Sequence, residues 1–417
     1  MPYSYTNEVT IIGAGPSGCS AGLFLAKQGI AHLILEKSIF PRDKICGDAI
    51  SSKSLFVLKK IDPNITDELN RRSDCFHPFY GALAVAPNQV SMAVPMSSAA
   101  DTPAGYVSRR LDFDHFLVQK LTLPHSTLLQ GATVTKLERI ETGIEITYTL
   151  DNQTFIAFTK CVIAADGDRS VVKKNFAPAK LDPKHYAASL RAYYQGVTGF
   201  SEKGEIEVYF PKSLSPGYFW IFPLPNGRAN VGLGMLSHFV RKDKINLKTA
   251  LTQIIEENPT LKTRFANATL EDKLLGWGLP LGSKLGTLSG DRFLLTGDAG
   301  GLIDPISGEG IGTGLYSGML AADAVAKAIE EQNFSASFFH QHYTKRVKRT
   351  MGIDFKVTYF LQRLCRYPWL LNFSIGQISK NKALQQLLAN SMDGTELKKR
   401  IFNPRFYVEL LRLWWKG

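Results

Sequence analysis

The chain has 417 residues, 44% hydrophobic and 21% charged, which is too long for one ordinary core and predicts two domains or one with a large insertion. No stretch approaches the ~20 uninterrupted apolar residues of a transmembrane helix, and the N-terminus carries no basic, then apolar, then cleavable segment of a secretory signal. Of the net charge of +12, +11 falls in residues 334–417; a tail of this sign attracts phosphate-bearing surfaces, but no recognition motif accompanies it, so nucleic-acid binding is not expected.

In chain order, "EVTIIGAGPSGCSAGLFLAKQG" predicts a β-branched strand, a glycine turn and an amphipathic helix. "AHLILEK" adds a second strand. "GYVSRRLDFDHFLVQKL", residues 105–121, predicts a helix, and the following segment predicts alternating strands with a turn near Glu141–Gly143, ending in the apolar strand "CVIAADG". Residues 186–235 are aromatic and strand-like, about 245–266 return to helix, and residues 311–330 form a long helix after a glycine-rich loop. The last eighty or so residues predict helix throughout. Cys19, Cys46, Cys75, Cys161 and Cys365 show no CxxC spacing, which suits a reducing cytoplasm and no disulfide framework, and no histidine pattern predicts a metal site.

Three motifs converge on one cofactor. Gly13, Ala14, Gly15, Pro16, Ser17 and Gly18 form a strand–turn–helix fingerprint: Gly13 for the tight turn, Gly15 for approach of a pyrophosphate, Gly18 for close packing. The helix N-terminus offers amides to the anion. Glu36 and Lys37 end the second strand, with Glu36 placed for a ribose hydroxyl. Asp166 and Gly167 follow an apolar strand at the carboxyl edge where ligands bind. In "LLTGDAGGLIDPISGEGIGTG", Gly297 and Asp298 end another strand, and Gly308, Gly310 and Ile311 open a helix whose amides could stabilise charge on a ligand. The glycines alone leave FAD and NAD(P) open.

Taken together these motifs resemble the FAD-dependent oxidoreductases of p-hydroxybenzoate hydroxylase-like fold. That resemblance implies FAD and an α/β fold: a Rossmann-type domain, an inserted antiparallel-sheet substrate domain and a helical C-terminal region. The expected division is 1–72, 105–178 and 286–330 for FAD, 73–104 and 179–285 for substrate, and 331–417 for the basic helical region. It also implies that Arg110, in "RLDFD", bonds the ribityl-phosphate region and that Val134 contacts the adenine.

Two further segments are similar to the geranylgeranyl reductases: "PRDKICGD", which implies that Cys46 and Gly47 lie beside the flavin, and "GYFWIFPLPNGRANVGLG". In a strand Tyr218, Trp220 and Phe222 share one face, followed by Pro223, giving an aromatic wall suited to a prenyl chain. The implied reaction saturates C=C bonds of a prenyl chain on a lipid, chlorophyll precursor or quinone. A free thiol is protonated at neutral pH, so Cys46 is a candidate proton donor or shape-setting contact. The electron donor stays open among NAD(P)H, ferredoxin and reduced flavin, since no second dinucleotide fingerprint is present. "NPRFYVELLRLWWKG", with Trp414 and Trp415 among cations, is expected to touch the inner face of a membrane peripherally. The alternative on the same fold is a monooxygenase or halogenase acting on an aromatic compound.

Overall fold

The glycine-turned first strand seeds the larger of two eight-stranded sheets. The computed structural model describes residues 3–96, 101–121, 124–271, 273–381 and 385. Tyr5–Ile12, His32–Glu36, Ser126–Gln130, the inner half of Gln153–Ala164 and Phe293–Leu295 run parallel, as continuous apolar strands covered on both faces do. Val9 pairs with Cys161 on one side and His32 on the other. The Thr133–Ile140 and Gly143–Leu150 strands pair antiparallel and extend the same sheet.

One face is covered by helices Pro16–Lys27 and Ile311–Glu330. Their axes approach closely because the contact is glycine: a Cβ on Gly318 would stand 2.2 Å from the Ser17 carbonyl oxygen. Ser20 Oγ closes the contact by donating to the Leu315 carbonyl at 2.6 Å.

The second sheet is built from Gly81–Val85, Ser91–Pro95, Tyr186–Gln195, Glu205–Tyr209, Tyr218–Leu224 and Arg228–Leu236, with Thr269–Leu270 and Leu275–Pro280 at its edge. Its back face is sealed by helices Leu247–Glu257 and Pro259–Arg264, against which Phe219, Ile221 and Leu233 pack. Its front face carries Trp220 and Phe222. The period-2 alternation of this strand thus divides its aromatics between a core and a site.

The 105–121 segment is helical only from Arg110 to Gln119; Gly105–Val107 is a strand between Ala49–Ile50 and His77–Phe79. A Cβ on Gly105 would lie 2.2 Å from the Ile50 carbonyl oxygen, so the sheet closes where helical periodicity alone suggests continuation. Residues 336–380 are helical, and the Pro368–Lys380 helix packs through Ile375 on Met92 and Val94. The 404–417 segment lies outside the described residues. No helix among those described is long and apolar enough to cross a membrane.

Candidate active site

The first fingerprint has the backbone geometry its glycines require. Gly13 adopts φ +98°, and a Cβ there would be 2.5 Å from the Ala165 carbonyl oxygen. A Cβ on Gly18 would stand 1.9 Å from the Gly13 carbonyl. On Gly15 it would meet nothing nearer than Arg42 Nη2 at 3.9 Å, which leaves open the surface over the Pro16 helix start. That helix has no side-chain cap, so its first amides are free for an anion.

Glu36 is buried and accepts from the Ala14 amide at 2.7 Å and the Ser38 amide at 2.9 Å. Its oxygens shape the loop first, each retaining a lone pair for a ribose hydroxyl. Lys37 is exposed, and Val134 is half-buried opposite Tyr148. Asp166 Oδ2 accepts from the Val171 amide at 2.7 Å, while its buried Oδ1 has no partner. Burial holds its carboxyl above the ordinary range against these hydrogen bonds. Gly167, at φ +80°, faces open space.

Asp298 accepts from Lys44 Nζ at 3.1 Å, beside Gly297 at φ +51°. Gly308, Gly310 and Ile311 open the second helix, as the glycine run predicts. One of its amides is not free, however: Gly312 N–H donates to Glu309 Oε1 at 2.6 Å, and Ser51 Oγ supports the same oxygen at 3.0 Å. The open Gly15 face, the uncapped helix start and the orphaned Asp166 oxygen fit the pyrophosphate and hydroxyl groups of FAD.

Arg110 has its primary partner within the protein. Nε and Nη2 donate to Asp114 at 2.6 and 2.7 Å, and Arg42 Nη1 adds a third bond to Asp114 at 2.5 Å. Burial alone would raise the Asp114 carboxyl, but the two guanidiniums overcome it and hold it below the ordinary range. The second acid of "RLDFD" is therefore the anchor that fixes both arginines next to Cys46.

The "KICGD" turn is tied down from four directions. Lys44 is held by Asp298, and the buried Arg191 donates Nη2 to Asp43 at 2.7 Å and to the Lys44 carbonyl at 3.3 Å. Asn230 donates Nδ2 to the Cys46 carbonyl and to Asp48 Oδ2, both at 2.8 Å, while its Oδ1 accepts from Trp220 Nε1 at 2.8 Å. Tyr193 Oη donates to the same Asp48 oxygen at 2.6 Å. Asp48 itself is fully buried, at φ +67°, with Oδ1 unpartnered. Burial pushes its carboxyl up to about 7, against the pull of Arg191, Tyr193 and Asn230.

This network presses the turn against the aromatic wall. A Cβ on Gly47 would be 3.5 Å from Phe222 Cε2 and 3.8 Å from the Trp220 indole. The Tyr218, Trp220 and Phe222 rings follow one another at 5.9 and 6.2 Å, with Pro223 buried behind them. Tyr218 Oη donates to the Ser307 carbonyl, joining the wall to the glycine-rich loop. Cys46 is half-buried between Arg110 and Tyr218. The structure thus brings together Cys46, Gly47, Trp220, Phe222 and the Asp298 loop. Sequence reasoning passed over Asp48, Arg191, Tyr193 and Asn230. Their signal was a polar residue interrupting an apolar strand, in "SLRAYY" and "RANVGLG".

An FAD binding domain family matches residues 6–350. A digeranylgeranylglycerophospholipid reductase 2 of Methanopyrus kandleri is 30% identical, over 84% of each chain. The chain belongs to the geranylgeranyl reductase family of FAD-dependent oxidoreductases. A menaquinone reductase of Mycobacterium tuberculosis is 27% identical over 76% of each chain. Among solved structures, a geranylgeranyl bacteriochlorophyll reductase-like protein from Thermoplasma acidophilum has TM-score 0.79 at 24% identity, covering 98% of this chain and 99% of its own. The flavin-dependent brominase Bmp2 shares the fold, at TM-score 0.76 and 20% identity over 94% of each chain. This geranylgeranyl reductase family member is an FAD-dependent oxidoreductase.

Proposed function

We propose that this enzyme saturates C=C bonds of a geranylgeranyl-type chain on a lipid or quinone, and that the chain lies along Tyr218, Trp220 and Phe222. The observation that carries this reading is the Asn230 bridge, which joins the Trp220 indole to the Cys46 carbonyl and so places thiol and wall together. When bound and reduced, FAD supplies hydride-transfer chemistry. The residues that would hold it are Gly13–Gly18, Glu36, Asp166 and the Asp298 loop. The wall excludes water and orients an otherwise featureless hydrocarbon, which burial favours by ~25 cal/mol per Å². Cys46 Sγ holds the proton delivered to the second alkene carbon. Lys44 is committed to Asp298 at 3.1 Å, so its ammonium serves the loop.

The electron donor is NAD(P)H, ferredoxin or a free reduced flavin. Peripheral membrane contact is supported by exposed Phe360, Tyr367, Trp369 and Phe373 on the last two described helices, with Lys356 and Lys380 also exposed. The monooxygenase or halogenase reading has the fold on its side. The reductase reading has in addition the sequence kinship of relatives matched over most of their length.

The site is tested by thiol protection. Cys19, Cys161 and Cys365 are buried, leaving Cys46 and Cys75 as the accessible pair. A geranylgeranyl compound is expected to slow alkylation of Cys46 while leaving Cys75 unchanged. Equal rates with and without the compound would remove the chain from this wall.

A further inference from the structure

A cavity of about 340 Å³ opens between the Pro183–His185 turn and the helices Ser237–Lys242 and Gly352–Leu364. Lys184, His238, Lys242, Arg363 and Arg366 line it, and no acidic residue does. Among the described residues none of its four lysines and arginines enters an ion pair. The neighbouring Asp182 carboxylate is taken by Lys284 Nζ at 3.1 Å and by the Lys184 amide. Four converging cations without a counter-charge repel one another, and an anion seated among them relieves that repulsion.

The cavity is also built on fixed elements. Gln362 donates to the Pro305 carbonyl, Ser215 Oγ donates to the Cys365 carbonyl at 2.9 Å, and the His185 and Tyr359 rings meet at 5.3 Å. The Arg366 guanidinium lies over Phe239, 5.0 Å from the ring centroid, which orients its planar fork. Pro216 lines the cavity two residues before Tyr218, where the aromatic wall begins. At ~3.3 Å per extended residue the two features are about 7 Å apart along the backbone.

We infer that this cavity binds the phosphate group at the head of the prenylated substrate, so that the enzyme takes a phosphate-headed lipid in preference to an uncharged quinone. The inference rests on the prenyl-reductase reading for its choice of substrate, but the anion site can be measured without it. Arginine forks match tetrahedral oxyanions, and the apolar floor of Leu236 and Phe239 suits the first carbons beyond the head.

The test compares FAD-loaded wild type with the Lys242→Gln/Arg363→Gln double variant, anaerobically, on geranylgeranyl phosphate and on geranylgeraniol. The KM for the phosphate is expected to rise about tenfold or more, the loss of roughly one strong charge-assisted contact, with kcat little changed and the alcohol unaffected. Parallel shifts for both compounds, or no shift for either, would overturn the assignment. Calorimetry with inorganic pyrophosphate separates the two readings. If wild type reduces neither compound yet binds pyrophosphate and the variant does not, the anion site stands and the prenyl reading falls. If wild type binds no pyrophosphate and treats the two compounds alike, the site falls. If the variant loses only binding to vesicles of anionic phospholipid, the cavity serves the bilayer and the substrate assignment is wrong.

Discussion

Replacing Asp48 with Asn isolates the buried network that holds the "KICGD" turn. Asp48 Oδ2 receives Tyr193 and Asn230, while Oδ1 receives nothing. An asparagine with its oxygen at the Oδ2 position keeps both bonds and mimics the protonated acid. The folded-state value of about 7 lies above the ~3.9 of an unfolded aspartate. The native state therefore holds an extra proton between these values, and stability falls as pH rises through that window. Integrated from pH 5 to pH 8, the loss is about 2–3 kcal/mol, present in full below ~4 and gone above ~7. Urea midpoints of the FAD-loaded protein across pH 5–8 read it directly. Wild type should lose midpoint with rising pH, and Asp48→Asn should lose less and be the more stable at pH 8. Identical slopes would show that Asp48 is ionised throughout and that the network argument is wrong.

Cys46→Ala is expected to retain FAD, read by its visible spectrum, and to lose prenyl reduction; unchanged turnover would remove the thiol from the mechanism. Trp220→Ala should raise the KM for long prenyl chains by at least about tenfold, given the aromatic contact area lost, with little change in the flavin spectrum. An equal shift for short and long chains would contradict the wall. Gly18→Ala places a methyl 1.9 Å from the Gly13 carbonyl oxygen and should yield protein without FAD. Gly167→Ala, with open space but φ +80°, should cost only about 1–2 kcal/mol and keep the cofactor; an FAD-loaded Gly18→Ala protein would contradict the packing role.

The dinucleotide turn and the aromatic strand were readable because each follows from a local rule. Gly13, Gly15 and Gly18 answer to backbone clearance, and Tyr218, Trp220 and Phe222 to the two-residue period of a strand. The Gly105–Val107 strand was not readable: its pairing partners lie more than twenty-five residues away, and its neighbours carry a strong helical period. The partners of Arg110 were hidden for a similar reason. Asp114 lies one helical turn on, but Arg42 comes from a distant loop, and no spacing rule joins the three. Asn230 and Asp48 are 182 residues apart, and their bond exists only once the substrate sheet has closed over the turn.

The most direct measurement of the central claim is mass spectrometry of a geranylgeranyl-bearing substrate after anaerobic incubation with the chemically reduced, FAD-loaded enzyme. The account predicts a gain of two hydrogens for each bond saturated, dependent on both Cys46 and Trp220. A substrate recovered unchanged, with activity seen only under air on an aromatic compound, would contradict it.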